Sequence, residues 1–168
     1  ILRSYEDHKA FRIKSFYGKD EKEVLSQFCD LFAKSFQSTD YLLCAHNGKE
    51  FDFPFLARRI LVNGLKLPYI LDIAGRKPWE VQHLDTLQLW KFGDFKHYTS
   101  LKLLCELFNI KSPKSEMDGS DVGRVYWEED NLDKIVRYCR NDTLAVAQLL
   151  LVFKGLNQIK DSEVEIIE

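Results

Sequence analysis

Apolar residues recur along this chain in three rhythms, and each predicts an element. Over residues 10–17, Phe11, Ile13 and Ser15 alternate with Arg12, Lys14 and Phe16. That period of two predicts a short strand. Residues 1–5 read as another strand, with the polar turn 6–9 between them. After Asp20 the spacing becomes helical: Val24, Leu25, Phe28, Leu31, Phe32 and Phe36 form one stripe. Asp20 and Glu23 make an acidic version of a capping box, and residues 38–40 end the helix. The third rhythm is an unbroken apolar run. Residues 41–45, YLLCA, lie between two helical patterns and predict a strand buried on both faces.

The same reading continues downstream. Residues 46–52 form a polar loop containing Gly48. Pro54 suits a first helical turn and Gly64 a helix end, with Leu56, Ile60, Leu61 and the pair Arg58 and Arg59 between. Residues 79–84 predict a strand, and Asp85 caps a short helix holding Leu87, Leu89 and Trp90. Ser100 caps the next, with Leu101, Leu104, Cys105 and Phe108 on one stripe; Pro113 marks a loop. Asp118 and Gly119 open a shorter helical stretch through Val122, Val125 and Tyr126. The longest helix spans about residues 130–153, its apolar face carrying Leu132, Ile135, Val136, Cys139, Leu144, Val146 and Leu149. Residues 157–168 read as an acidic tail without a strand pattern. Strands alternating with helices give an α/β or α+β class. The 168 residues, without repeats, make a single domain.

Composition narrows the function classes. Hydrophobic residues are 45% and charged residues 30%, which excludes a disordered chain. No run approaches the roughly 18 apolar residues of a membrane span, and the mixed, charged first ten residues do not read as a signal peptide. The net charge of −2 gives no basic footprint, so any nucleic-acid role rests on a local site. Cys29, Cys44, Cys105 and Cys139 form no CxxC pair. They are expected to be buried free thiols in a reducing, cytoplasmic setting.

Two segments carry candidate chemistry. In His46-Asn47-Gly48-Lys49-Glu50-Phe51-Asp52, a carboxylate follows the end of a buried strand, where α/β sheets place ligands. The plain structural alternative is that Asp52 is a helix N-cap. In Tyr138-Cys139-Arg140-Asn141-Asp142, the tyrosine and the second acid share one helix face. A mid-helix aspartate is a weak helix former and calls for a reason; the alternative is a solvated neighbourhood with Arg140 and Lys134. Asp85 reads as an N-cap rather than a ligand. His83 and His97 share no spacing that suggests a zinc site.

Together the two segments resemble something specific. Asn47-x-x-x-Phe51-Asp52 followed by Tyr138-x-x-x-Asp142 resembles the second and third motifs of the DEDD 3′–5′ exonucleases of the DnaQ-like, RNase H-like superfamily, and the tyrosine points to their DEDDy branch. HNGKEFDFPFLARR, LDTLQLW, SLKLLCELFNI, DGSDVGRVYW and YCRNDTLAVAQLL are similar to predicted exonucleases related to the proofreading domain of family-B DNA polymerases. The likeness covers roughly residues 11–153. It implies an RNase H-like α/β fold, a central mixed β-sheet flanked by helices. It also implies two-metal hydrolysis of phosphodiester bonds at single-stranded 3′ ends, DNA ahead of RNA, with Mg²⁺ or Mn²⁺.

Residue by residue, Asp52 and Asp142 match two of the family's four metal-binding carboxylates. Tyr138 matches the residue that orients the attacking water, and its free pKa near 10 suits positioning rather than base catalysis. Asn47 would hold the loop or touch the terminal nucleotide. Phe51 and Phe55 would pack on a base or fill the core, the core being the usual place for Phe. Lys49, Lys114 and Arg124 are cations for phosphate contact, or else plain solvated surface.

One motif is missing. The family's first motif, Asp-x-Glu on the first strand, has no match on any strand pattern here. The only Asp-x-Glu, Asp161-Ser162-Glu163, sits in the acidic tail and is not that motif. The expectation is that an N-terminal segment precedes Ile1 in the natural protein and carries the first strand, leaving residues 1–5 as the end of the second, and that residues 1–168, with half the ligand set, bind metal weakly and cut poorly by themselves. A sheet lacking that strand would offer open edges for pairing with another chain. Two rival readings follow: a non-catalytic nucleic-acid-binding or scaffold domain of the same fold, and an α/β domain whose Asp52 and Asp142 are only caps.

Overall fold

The computed structural model describes residues 11–38, 40–77, 79–94, 96–111 and 117–167; the strand and turn expected over residues 1–10 lie outside them. In chain order the elements are β1 (Phe11–Lys14), α1 (Glu21–Ser35), β2 (Cys44–Ala45), α2 (Asp52–Val62), β3 (Leu84–Asp85), α3 (Thr86–Lys91), α4 (Leu101–Leu107), α5 (Val122–Trp127), α6 (Leu132–Phe153) and β4 (Val164–Ile167). The α/β class is as expected. The chain gathers into two compact units, Phe16–Leu101 and the stretches on either side of it.

In the first unit, Asp20 caps α1 by accepting the Glu23 N–H at 3.0 Å. The α1 stripe then buries Leu25, with Phe28 and Phe32 beside it, against Phe53 and Ile60 of α2 and the turn residues Ile70 and Leu71. Helix α2 ends where Gly64 turns left-handed at φ 69°. The Gly64 N–H reaches Leu61 O at 2.9 Å and the Leu65 N–H reaches Ile60 O at 3.1 Å. This paired closure needs positive φ, which glycine adopts without steric cost.

Strands β2 and β3 pair in parallel, Cys44 opposite Leu84 and Ala45 opposite Asp85. Both are shorter than the runs 41–45 and 79–84 predict. The Leu43 N–H is taken by His83 Nδ1 at 3.3 Å. Residues 79–80 lie in a turn closed by Glu80 N–H to Lys77 O at 2.9 Å. Leu43 still reaches β3 through its carbonyl, which accepts the Leu84 N–H at 2.8 Å, but its diverted N–H does not extend the ladder. Cys44 and Ala45 are half-buried rather than sealed on both faces.

The second unit holds a strand that the sequence pattern did not predict. Residues 164–167, expected as featureless tail, form β4, which pairs in parallel with β1 from Phe11↔Val164 to Lys14↔Ile167. Phe11 and Ile13 bury against Ala147, with Leu144, Ile159 and Val164 around them. The approach to β4 is fixed by buried Gln148. Its amide donates to Ile159 O at 2.8 Å and accepts from Ile159 N at 2.7 Å, as a neighbouring strand would. Asn131 caps α6 by accepting the Lys134 N–H at 3.0 Å.

Among the described residues the sheet expected as one central layer is two separate parallel pairs. No helix there is long and apolar enough to cross a membrane. All four cysteines are free, but burial differs from expectation. Cys105 is buried, Cys29 and Cys44 are half-buried, and Cys139 is exposed.

Candidate functional site

The carboxyl ends of β2 and β3 emerge side by side, which is where open parallel sheets place ligands. The next residues along each chain meet: His46 Nδ1 lies 2.9 Å from Thr86 Oγ1, and His46 Nε2 lies 2.9 Å from Thr99 O. With Nε2–H donating to that carbonyl, Nδ1 accepts from the hydroxyl. Burial lowers the His46 pKa, which keeps this neutral ring in place.

The loop that follows is tightly built. Asn47 takes the left-handed conformation at φ 65°, which asparagine tolerates better than most residues. Gly48 is buried, and a Cβ there would collide with the Ala45 Cβ and stand 2.9 Å from the Phe53 ring. The loop enters α2 through Phe51 N–H to Asn47 O at 3.1 Å and Phe53 N–H to Gly48 O at 2.9 Å.

Asp52 is therefore the first residue of α2. The N-cap is Phe51, which has no side-chain cap bond, so the capping alternative for Asp52 is corrected. Protein packed against one side of the Asp52 carboxyl, and then the nearby Asp85 charge, raise its pKa. Phe51 and Phe55 do not fill the core. They are 62% and 52% exposed, with nearly parallel rings 5.9 Å apart. Lys49 contributes its backbone N–H to Asp85 Oδ2 at 3.1 Å.

The second group belongs to the other unit. Tyr138 and Asp142 lie one turn apart on α6, both half-buried, with the tyrosine hydroxyl bonded to the carboxylate. The chain at Asp118 and Gly119 passes over them: a Cβ on Gly119 would stand 3.5 Å from the Tyr138 hydroxyl. Partial burial raises the Asp142 pKa. The Tyr138 hydrogen bond pulls it back, and the Asp118 charge raises it further. Burial, the Asp142 bond and the Asp118 charge together push the Tyr138 pKa up, so its hydroxyl stays protonated at neutral pH.

The basic neighbours considered for Asp142 are engaged elsewhere. Arg140 Nε donates to Ser15 Oγ at 2.7 Å and Lys134 pairs with Glu129 at 3.4 Å. Arg124 is held by Asp121 at 3.2 Å and by Glu129. Lys114 lies outside the described residues. His83 is buried and bonded to Ile70 O at 2.7 Å, and His97 pairs with Asp94, so both are ordinary.

Asn47, Lys49, Phe51 and Asp52 thus gather in one unit, and Tyr138 and Asp142 in the other, with Asp118 added. The carboxylates are hard oxygen donors, and each has a second acid nearby whose repulsion a cation would offset. The donor chemistry suits a divalent ion. Among the described residues no group of three or more His, Cys, Asp or Glu is gathered. Two participants went unforeseen: the reach of Asp85 into the loop and the proximity of Asp118. The only sequence signal for either was its place at a helix start.

Comparison with known proteins agrees with this chemistry. Residues 1–163 match the model of a family described as predicted 3′–5′ exonucleases related to the exonuclease domain of PolB. A DNA polymerase of Desulfurococcus sp. (strain Tok) is 21% identical over 171 residues, covering 89% of this chain and 21% of the polymerase. The chain thus spans about a fifth of the length of that relative. No solved structure matches it. By the match over nearly its whole length, the chain belongs to the family of predicted 3′–5′ exonucleases related to the PolB exonuclease domain.

Proposed function

We propose that residues 1–168 lie in a DEDDy-type exonuclease domain of RNase H-like fold that works in the reducing cytoplasm. It would remove nucleotides one at a time from single-stranded 3′ ends, DNA ahead of RNA. The observation that carries the reading is the family match over residues 1–163; the sequence resemblance assigns Asn47, Phe51, Asp52, Tyr138 and Asp142 to the motif positions. In the reaction, a water oxygen forms a bond to phosphorus as the P–O3′ bond breaks. A nucleoside 5′-monophosphate leaves, and the shortened strand keeps a 3′-hydroxyl.

Asp52 and Asp142 are the residues proposed to hold Mg²⁺ or Mn²⁺. Two such ions, when bound, lower the pKa of the attacking water and offset charge on the leaving oxygen. Tyr138, protonated at neutral pH, holds and aligns that water without removing its proton. The exposed parallel rings of Phe51 and Phe55 offer a stacking surface for a terminal base. Asn47 is placed against the terminal nucleotide and Lys49 against phosphate. Arg124 joins them only when its pairs with Asp121 and Glu129 open.

The test is a time course with 5′-labelled single-stranded DNA and RNA in Mg²⁺ or Mn²⁺. The expected result is a ladder shortening from the 3′ end, faster on DNA, and abolished by EDTA and by Asp142→Ala. Binding of the strand without any metal-dependent shortening would favour the non-catalytic scaffold reading.

A further inference from the structure

We propose that Asp85 is a positioning residue, whose buried carboxylate ties the Asn47–Asp52 loop to the start of α3 and so sets where Asp52 stands. Asp85 is only 2% exposed, and both its oxygens are committed. Oδ1 accepts the Asn47 N–H at 2.9 Å, the Leu87 N–H at 3.0 Å and the Gln88 N–H at 3.3 Å. Oδ2 accepts the Lys49 N–H at 3.1 Å. Capping α3 needs only the bonds to Leu87 and Gln88. The bonds to Asn47 and Lys49 reach back almost forty residues and serve the loop alone.

Those two bonds have a clear consequence. They hold the N–H groups of the two residues that flank buried Gly48, Asn47 itself sitting at positive φ. Three residues after Lys49, α2 starts with Asp52 in its first turn. The loop has little freedom to shift, because Gly48 is wedged against Ala45 and Phe53. A buried carboxylate saturated by four amides is a rigid anchor, since leaving any of them unpaired inside the protein is costly. Outer partners of this kind orient the groups that bind metal and tune their affinity.

The inference rests on Asp52 being a metal-binding carboxylate, and the test separates the two claims. Asp85→Ser and Asp85→Asn both keep an N-cap oxygen for α3. Neither can serve Lys49: serine is too short, and the asparagine amide sets a donor against a donor. In the metal-free protein, the Lys49 amide should exchange about tenfold faster in both variants and the Asn47 amide in Asp85→Ser, with those of Leu87 and Gln88 still protected. Mn²⁺ affinity by calorimetry should fall about 10- to 100-fold. The half-saturating Mn²⁺ for cleavage should rise by the same factor, with rate recovered at high Mn²⁺. Parent-like exchange at Asn47 and Lys49, or unchanged Mn²⁺ affinity, would overturn the positioning role. So would failure of both cap-preserving variants to fold, which would assign Asp85 to the fold itself. Asp52→Ala is the control. If it leaves Mn²⁺ affinity and cleavage intact, the functional reading fails. If it abolishes both while the Asp85 variants match the parent, only the positioning role fails.

Discussion

The hydroxyl of Tyr138 hydrogen-bonds the carboxylate of Asp142 one turn further along α6. The bond aligns an uncharged donor beside an acid whose own pKa is raised. Tyr138→Phe removes the hydroxyl and little else. Cleavage should fall about 100-fold, the scale for loss of one aligned donor, with the thermal midpoint near that of the parent. The rate of the parent should show no tyrosine ionisation between pH 6 and 9. An activity step in that range that disappears in Tyr138→Phe would contradict the positioning role.

Asp142 should be needed for chemistry and unhelpful to stability. Its folded pKa is raised, so the folded state holds the proton more tightly than the unfolded chain. Its contribution to stability therefore declines as pH rises through the carboxylate range, and the cost is fully present at neutral pH. Asp142→Asn keeps an oxygen for Tyr138 and removes the charge. Cleavage should drop by at least about 100-fold while the denaturation midpoint at pH 7 stays equal or rises. A clearly lower midpoint would make Asp142 structural.

Much of this was legible because it was local. The Asp20 cap, the helix end at Gly64, the start at Asp118 and the long helix α6 each follow from residues within one or two turns. The strands were less legible, since their extent depends on partners far along the chain. The Leu43 N–H goes to His83 while its carbonyl reaches Leu84, and β4 pairs with β1 after Gln148 holds its approach. The capping alternative for Asp52 fails because the carbonyls of Asn47 and Gly48 close that turn and Phe51 takes the cap position. The reach of Asp85 to Asn47 and Lys49 has no local signature.

Gly48 is where the candidate loop tolerates least. A methyl group there would strike Ala45 and crowd Phe53. Gly48→Ala should cost about 1–3 kcal/mol, the usual penalty for overpacking, read as a lower denaturant midpoint. It should also weaken cleavage by displacing Asp52. Parent-like stability would show that the loop yields at no cost.

Acid sensitivity has a defined contributor far from the site. The Arg59 guanidinium, 2.7 Å from Glu21 through Nε, and the Asn63 amide hold the Glu21 carboxyl down at about 2. With the folded pKa depressed, the stabilising contribution is present above the ordinary value of 4.5 and is lost as pH falls through about 2. Glu21→Gln should be less stable than the parent at about pH 6, and the difference should vanish near pH 2. The pair is exposed, so the difference is small. A Glu21 carboxyl that titrates at its ordinary value by NMR would contradict this.

The most direct test of the central claim is where Mn²⁺ binds. In crystals of the protein soaked with Mn²⁺, anomalous density should appear within coordination distance of a carboxylate oxygen of Asp52, and likewise at Asp142. Tyr138 should lie within hydrogen-bond reach of a bound water. Ordered Mn²⁺ elsewhere, with neither carboxylate touching it, would contradict the assignment of these residues to a nuclease centre.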